Sequence, residues 1–263
     1  MKRFQHTFVV LAYRESPYIE ACLQSLQAQT IRSELILSTS TPSSFLNVLA
    51  QKYALPVTVN PNQQGIASDW SFAYRAAQTP YLTLAHQDDL YLPTYTEQCL
   101  TAAQRHPDNL MTFTGYREFV GNASRRFSLL ILVKQMLLWP FFFSNAVHSR
   151  RLKMACVSCG NPIACPSVMY HKEAIGEFEF SRDWQFNLDW DAWVRLAQRQ
   201  GCFAHVTAPL MVHRLHEDSE TSRLTLNSQR EIEELRMLQR LLKPPWAKIV
   251  AKAYHLGSKL NAV

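Results

Sequence analysis

From His6 to Ala85 four short apolar runs alternate with three amphipathic stretches, and that alternation leaves few folds open. The runs are "HTFVVLAY" (His6–Tyr13), "SELILSTS" (Ser33–Ser40), "LPVTVN" (Leu55–Asn60) and "PYLTLA" (Pro80–Ala85). The first is continuously apolar and β-branched, which suits a strand buried on both faces. After it, Ser16-Pro17 reads as an N-cap and first-turn pair, and Ile19, Cys22, Leu23 and Leu26 recur at helical spacing. Ser44–Tyr53 reads as a second helix, and Ser68 as the cap of a third running through "DWSFAYRAAQ". Strand–helix units in this order predict the α/β class: a mostly parallel sheet with right-handed crossovers, flanked by helices.

In such sheets ligands bind beyond the carboxyl ends of the strands. Tyr13, Ser38–Ser40 and Asp88–Asp89 all fall at those ends, so one crevice should collect them. The remainder is less regular. Pro93–Arg105 reads as a helix, "LMTFTGYREFV" and "PSVMYH" as strands, and "HVTAPLMVHRLHED" as strand-like. "FNLDWDAWVRLAQRQG" reads as a helix ended by Gly201, with Trp190, Trp193, Val194 and Ala197 on its buried side. Ser228–Leu242 is a further helix, and beyond Pro244-Pro245 "WAKIVAKAYHLGSKL" is basic and amphipathic. The expected organisation is one domain over 1–226, in halves 1–110 and 111–226, with a helical tail over 227–263.

With 263 residues, 47% hydrophobic and 18% charged, the chain can bury a full core, which excludes general disorder. Its net charge of +6 is unevenly placed. No acid stands between Glu118 and Glu173, or after Glu234, while lysines and arginines recur in both stretches. These basic residues sit among Leu, Phe and Trp, which favours an anionic membrane surface over a nucleic acid. Phe127–Phe143 is apolar but interrupted by Lys134 and Pro140, short of the roughly 20 apolar residues that span a bilayer. A helix in the membrane interface, or packed on the core, is expected there. The apolar run before Arg14 and Glu15 is too short for a signal peptide, and six scattered cysteines form no secretory framework. The expected location is cytoplasmic, peripheral on the inner face of the membrane.

The residues that carry chemistry begin with "HQDD". Asp88 and Asp89 at a strand end point to opposite sides, so one can hold a hard divalent cation while the other supports the loop. A solvated acidic turn is the competing reading, and the strand-end position is what argues against it. In "LDWDAW", Asp191 has Arg195 four residues on as a partner, whereas Asp189 has Trp193. A carboxylate in so apolar a setting tends toward the raised pKa of a general base, and an ordinary surface carboxylate is the equal alternative. In "VHRLHED", His216 can complete a metal site and Arg214 can meet phosphate, while His213 reads as core. "CVSCGNPIAC" holds a single CxxC half, a weak zinc signal.

Five stretches in order resemble family 2 glycosyltransferases of the GT-A type, over about Phe8 to Ser222. They are "FVVLAYRESPYIEACLQSLQAQT", "NQQGIASDWSFAYRAAQTPYLTLAHQDDLYLP", "GNPIACPSVMYHKEAIGEF", "NLDWDAWVRLAQRQG" and "HRLHEDSET". The resemblance implies a nucleotide-sugar donor held by Ala12, Tyr13, Glu15, Ser38, Asp69, His86, Asp88, Asp89 and Arg214. It implies Mn²⁺ or Mg²⁺ on Asp88 and His216, and Asp189, with Asp191 beside it, as the catalytic carboxylates of an inverting transfer. Given the basic apolar segments, the expected acceptor is a glycan or lipid-linked oligosaccharide of bacterial surface polysaccharide synthesis. Three positions depart from the family pattern: His86 stands for the first Asp of DxD, Leu188 for the Glu before the base, and Ser38-Thr39-Ser40 for an acidic pair. A nucleotidyltransferase and a non-catalytic nucleotide- or glycan-binding relative are the alternatives; the first normally has a glycine-rich first loop, which "LAYRESPY" lacks.

Overall fold

The computed structural model of the chain describes residues 4–62, 64–120, 123–125, 129–215 and 228–261. The first half alternates β1 (His6–Ala12), α1 (Ile19–Gln27), β2 (Glu34–Thr39), α2 (Ser44–Tyr53), β3 (Val57–Val59), α3 (Ile66–Ala76) and β4 (Tyr81–His86). A two-residue β5 (Leu90–Tyr91), α4 (Tyr95–Gln104), β6 (Asn109–Val120) and β7 (Ala123–Arg125) follow. Then come α5 (Leu129–Leu137), β8 (Ala146–Val147), α6 (Arg150–Ser158), β9 (Val168–His171), α7 (Lys172–Ile175), α8 (Leu188–Ala197) and β10 (Cys202–Leu215). The C-terminal pair is α9 (Ser228–Leu241) and α10 (Pro244–Asn261).

Among the described residues the strands form one sheet in the order β3-β2-β1-β4-β9-β6-β10-β5, with β7 on β6 and β8 on β10. β3, β2, β1 and β4 are mutually parallel, and β6 runs parallel to β10. β9 is antiparallel to both β4 and β6, so β6 and β10 point the same way as β4. The mostly parallel sheet is as the alternation predicts. The continuous apolar character of β1 also has its expected cause. Phe8, Val10 and Ala12 pack with α1, α2 and α4 on one face, while Val9 joins Leu84, Tyr74 and Trp193 on the other.

Two helix starts differ from expectation. Tyr18, not Ser16, precedes α1; the Ser16 hydroxyl accepts from the Tyr18 N–H at 3.3 Å and donates to Asp88 at 2.6 Å. α3 begins two residues before Ser68, after Gly65 at φ 83°, a left-handed conformation that suits glycine. The Ser68 hydroxyl instead donates to the Asn62 carbonyl at 3.2 Å. Beyond residue 228 the chain packs into the main core: Met237, Leu238, Ala247 and Ala251 are buried with the α8 tryptophans. No helix among the described residues is long and apolar enough to cross a membrane.

Candidate active site

The carboxyl ends of β1, β4 and β10 are joined by hydrogen bonds made around Asp88 and Asp89. Gln87 clasps the backbone of Tyr13, accepting from its N–H at 3.1 Å and donating to its carbonyl at 3.0 Å. Asp88 accepts from Ser16, and its own carbonyl accepts from Arg214 Nε at 3.1 Å. Asp89 is 1% exposed, so its charge needs partners, and β10 supplies them. Its Oδ1 lies 3.0 Å from His213 Nδ1 and accepts from the Arg214 N–H at 3.0 Å. Burial pushes the Asp89 carboxyl up, but the His213 charge and hydrogen bond, His86 and the Arg214 N–H together take it below its ordinary value. Burial likewise pulls His213 down, and the Asp89 charge and bond overcome it, leaving that imidazole raised. The pair fixes β10 to the β4 turn. The Arg214 guanidinium lies over the Tyr18 ring, 4.5 Å from its centroid, beside Asp88.

A second cluster stands at the ends of β2 and β3. Asp69, in the first turn of α3, accepts from Ser40 Oγ and from Asn60 Nδ2, each at 2.7 Å. Ala12 and Ser38 are buried beneath these tips, and Tyr13 and Glu15 are exposed above them.

Asp189 lies in the first turn of α8. Two indoles set that helix: Trp190 Nε1 donates to the Val157 carbonyl at 2.7 Å and Trp193 Nε1 to Ile163 at 3.2 Å. Asp189 Oδ1 accepts from the Trp190 N–H, and Oδ2 from Asn161 Nδ2 at 2.8 Å. Burial raises its pKa; the Asn161 and Trp190 bonds and the charge of Lys134 pull the other way without cancelling the rise.

A model of the Glycosyl transferase family 2 matches residues 7–175. The chain belongs to that family. Its sheet, flanked by helices, is the GT-A fold of solved glycosyltransferases. The S. aureus TarS fragment in complex with UDP-GlcNAc superposes with a TM-score of 0.56 at 13% identity, over 83% of this chain and 60% of that one. Glucosyl-3-phosphoglycerate synthase from Mycobacterium tuberculosis, in complex with Mn²⁺, UDP and glucosyl-3-phosphoglycerate, gives a TM-score of 0.58 at 16% identity, over 90% and 80%. An uncharacterized glycosyltransferase of Haemophilus influenzae is 27% identical over 104 residues, 39% of this chain. The chain thus spans 35% of that relative's length and 60% of the TarS fragment's.

Within this family 2 chain, the fold gathers Ala12, Tyr13, Ser38, Asp69, His86, Asp88, Asp89 and Arg214 at the strand tips, with Glu15 on the loop above. Asp191 is 1% exposed and accepts at 2.7 Å on each oxygen, from Arg195 Nε on one and Arg240 Nη1 on the other, so it ties α8 to α9. His216 lies outside the described residues. His213, read as core, is the partner of Asp89. The six cysteines are free, with Cys156 inside α6. Sequence reasoning missed Ser16, Gln87, Asn161 and Lys134. "GN" at Gly160-Asn161 was a usable cue, a small residue and an amide in the loop facing the helix of Asp189.

Beside Asp88 the strand tips offer donor types that a divalent metal takes. Asp89 Oδ2 and His86 Nε2 are buried without a hydrogen-bond partner among the described residues. Burial lowers the His86 pKa more than the nearby Asp89 raises it, so the ring there is neutral. Carboxylates with a neutral imidazole are donors that Mn²⁺ accepts.

Proposed function

We propose that the chain moves a sugar from a nucleotide-sugar to a hydroxyl acceptor by an inverting, single displacement. What supports this reading is the family match together with two features of the fold: Asp88 held beside Arg214 at the strand ends, and Asp189, a carboxylate whose burial raises its pKa. Asp88, with His216, would hold Mn²⁺ or Mg²⁺, and the ion would supply positive charge to the departing diphosphate. Arg214, held by Tyr18 and by the Asp88 carbonyl, would add a fixed guanidinium for the same phosphates. Tyr13, Glu15, Ser38 and Asp69 would frame the base and ribose. Asp189 would take the acceptor hydroxyl proton on Oδ1 or Oδ2, and Asn161 would orient it. UDP-GlcNAc in the TarS complex and UDP in the synthase complex support a uridine diphosphate sugar as the donor.

The acceptor in this reading is a lipid-linked oligosaccharide of a bacterial surface polysaccharide, reached by a chain lying peripherally on the inner face of the membrane. Exposed Leu132, Met136, Trp139, Phe142 and Phe143 support it, with exposed Trp246 and Ile249 on α10, which packs against α5. Metal-dependent turnover of a panel of UDP-sugars tests the catalytic part. Asp88→Ala and Asp189→Ala should each reduce it by about 10²-fold or more. Full turnover in both variants overturns the assignment.

A further inference from the structure

At the end of the sheet opposite Asp88, where β6 and β10 begin, three metal-binding side chains meet. His106 comes from the loop before β6, His148 from the turn between β8 and α6, and Cys202 is the first residue of β10. One donor atom from each lies within 4.8 Å of the others. Three separate segments converge here because the backbone is drawn tight. The Cys202 N–H donates to the Asp108 carbonyl at 3.0 Å, and Gly201 sits at φ 99° with room for nothing larger. A Cβ on Gly201 would stand 2.4 Å from the Asp108 carbonyl oxygen.

We infer that His106, His148 and Cys202 form a binding site for a borderline-soft divalent cation of the Zn²⁺ class, distinct from the Asp88 crevice. A thiolate with two imidazoles selects zinc or its chemical relatives over Mg²⁺ and Ca²⁺, which prefer oxygen. Asp108 supplies the outer partner that such sites use: its Oδ2 lies 2.9 Å from His148 Nδ1, the arrangement in which a carboxylate orients a ligating ring. Ligands at about 2.0–2.3 Å from a tetrahedral ion stand closer together than the present donors, so the site must contract slightly. His148 is exposed and can swing inward, while Cys202 is fully buried and fixed. Asn109 Nδ2 already approaches the sulfur at 3.9 Å, and Lys153, hydrogen-bonded to the carbonyls of Arg199 and Gly201, ties the segment just before Cys202 to α6. Binding transfers the Cys202 thiol proton to solvent and forms the metal–sulfur bond, with no change of oxidation state. Three protein ligands leave the fourth position to water. The ion would clamp the β6 loop, the β8–α6 turn and β10 together.

The test is a titration of the metal-free full chain with Co²⁺, then Zn²⁺, read by absorption. The expected result is one equivalent of Co²⁺ with a thiolate-to-cobalt charge-transfer band, bleached by Zn²⁺, and a Tm raised by Zn²⁺. Cys202→Ser should abolish the band; because that residue is buried, His148→Ala on the exposed turn is the second variant. It should weaken binding by roughly tenfold or more, and Asp108→Asn by about tenfold, with far-ultraviolet circular dichroism unchanged. The same band must survive in an Asp88→Ala background. Absence of a thiolate band in the full chain, or wild-type affinity in both Cys202→Ser and His148→Ala, overturns the proposal.

Discussion

Asn161 and Asp189 are 28 residues apart in sequence, yet the amide decides how basic the carboxylate can become. Burial raises the Asp189 pKa, and the Asn161 bond opposes that rise by favouring the charged form. Asn161→Ala removes the opposing force, so the pKa moves further up. A base must be deprotonated to act; activity is present above its pKa and falls as pH drops through it. The acid limb of kcat/KM should therefore shift to higher pH in Asn161→Ala by about one unit, the worth of a hydrogen bond to a charged group. A limb that does not move removes Asn161 from this role. A second residue-scale outcome concerns His213. Its removal leaves Asp89 buried with its main charge partner gone, so His213→Ala should cost about 3–5 kcal/mol in urea unfolding. A loss under 1 kcal/mol would mean that Asp89 is satisfied by the Arg214 N–H alone. The places of Asp88 and Arg214 at strand ends and of Asp189 early in a helix were legible because strand and helix patterns in the sequence mark them. Ser16, Asn161 and Lys134 were not, since each acts on a group that only tertiary folding brings near.

Among elements, α8 carries two aspartates with opposite fates, and spacing separates them only in part. The i,i+4 pair with Arg195 was readable, and the structure adds Arg240 of α9 on the remaining oxygen. That second arginine could not be inferred, because nothing local places α9 against α8. Asp191→Ala should destabilise the fold by about 2–3 kcal/mol, two charge-assisted bonds offset by resolvation of half-exposed arginines, with kcat of the folded fraction unchanged. Asp189→Asn should do the reverse, keeping stability and losing turnover. Denaturation curves beside initial rates distinguish the two; equal loss of turnover in both would keep Asp191 in the catalytic set. The strands of the first half were legible because buried parallel strands announce themselves as continuous apolar runs. The starts of α1 and α3 were misread because neither serine is a simple helix cap: Ser16 accepts from the Tyr18 N–H and donates to Asp88, and Ser68 donates to the Asn62 carbonyl six residues back.

On the scale of the molecule, charge and apolar surface are distributed in a way that catalysis alone does not require. Ile131, Leu138 and Phe141 anchor α5 and the turn after it in the core, and that anchoring holds Leu132, Met136, Trp139, Phe142 and Phe143 outward. Phe143 is 83% exposed and Phe142 66%, large penalties for a face that meets only water. The neighbouring α10 adds Trp246 and Ile249 on a helix rich in lysine, the composition of an element lying in an anionic interface. Each phenyl ring moved from water into lipid is worth about 1.5–3 kcal/mol. Phe142→Ser with Phe143→Ser should therefore weaken binding to phosphatidylglycerol-containing vesicles by at least about a hundredfold in co-sedimentation, with circular dichroism unchanged. Raised salt should weaken the wild type as well, because lysines near an anionic surface act through screened charge. If the double variant binds these vesicles as the wild type does, the exposed phenylalanines do not enter lipid and the acceptor need not be membrane-bound.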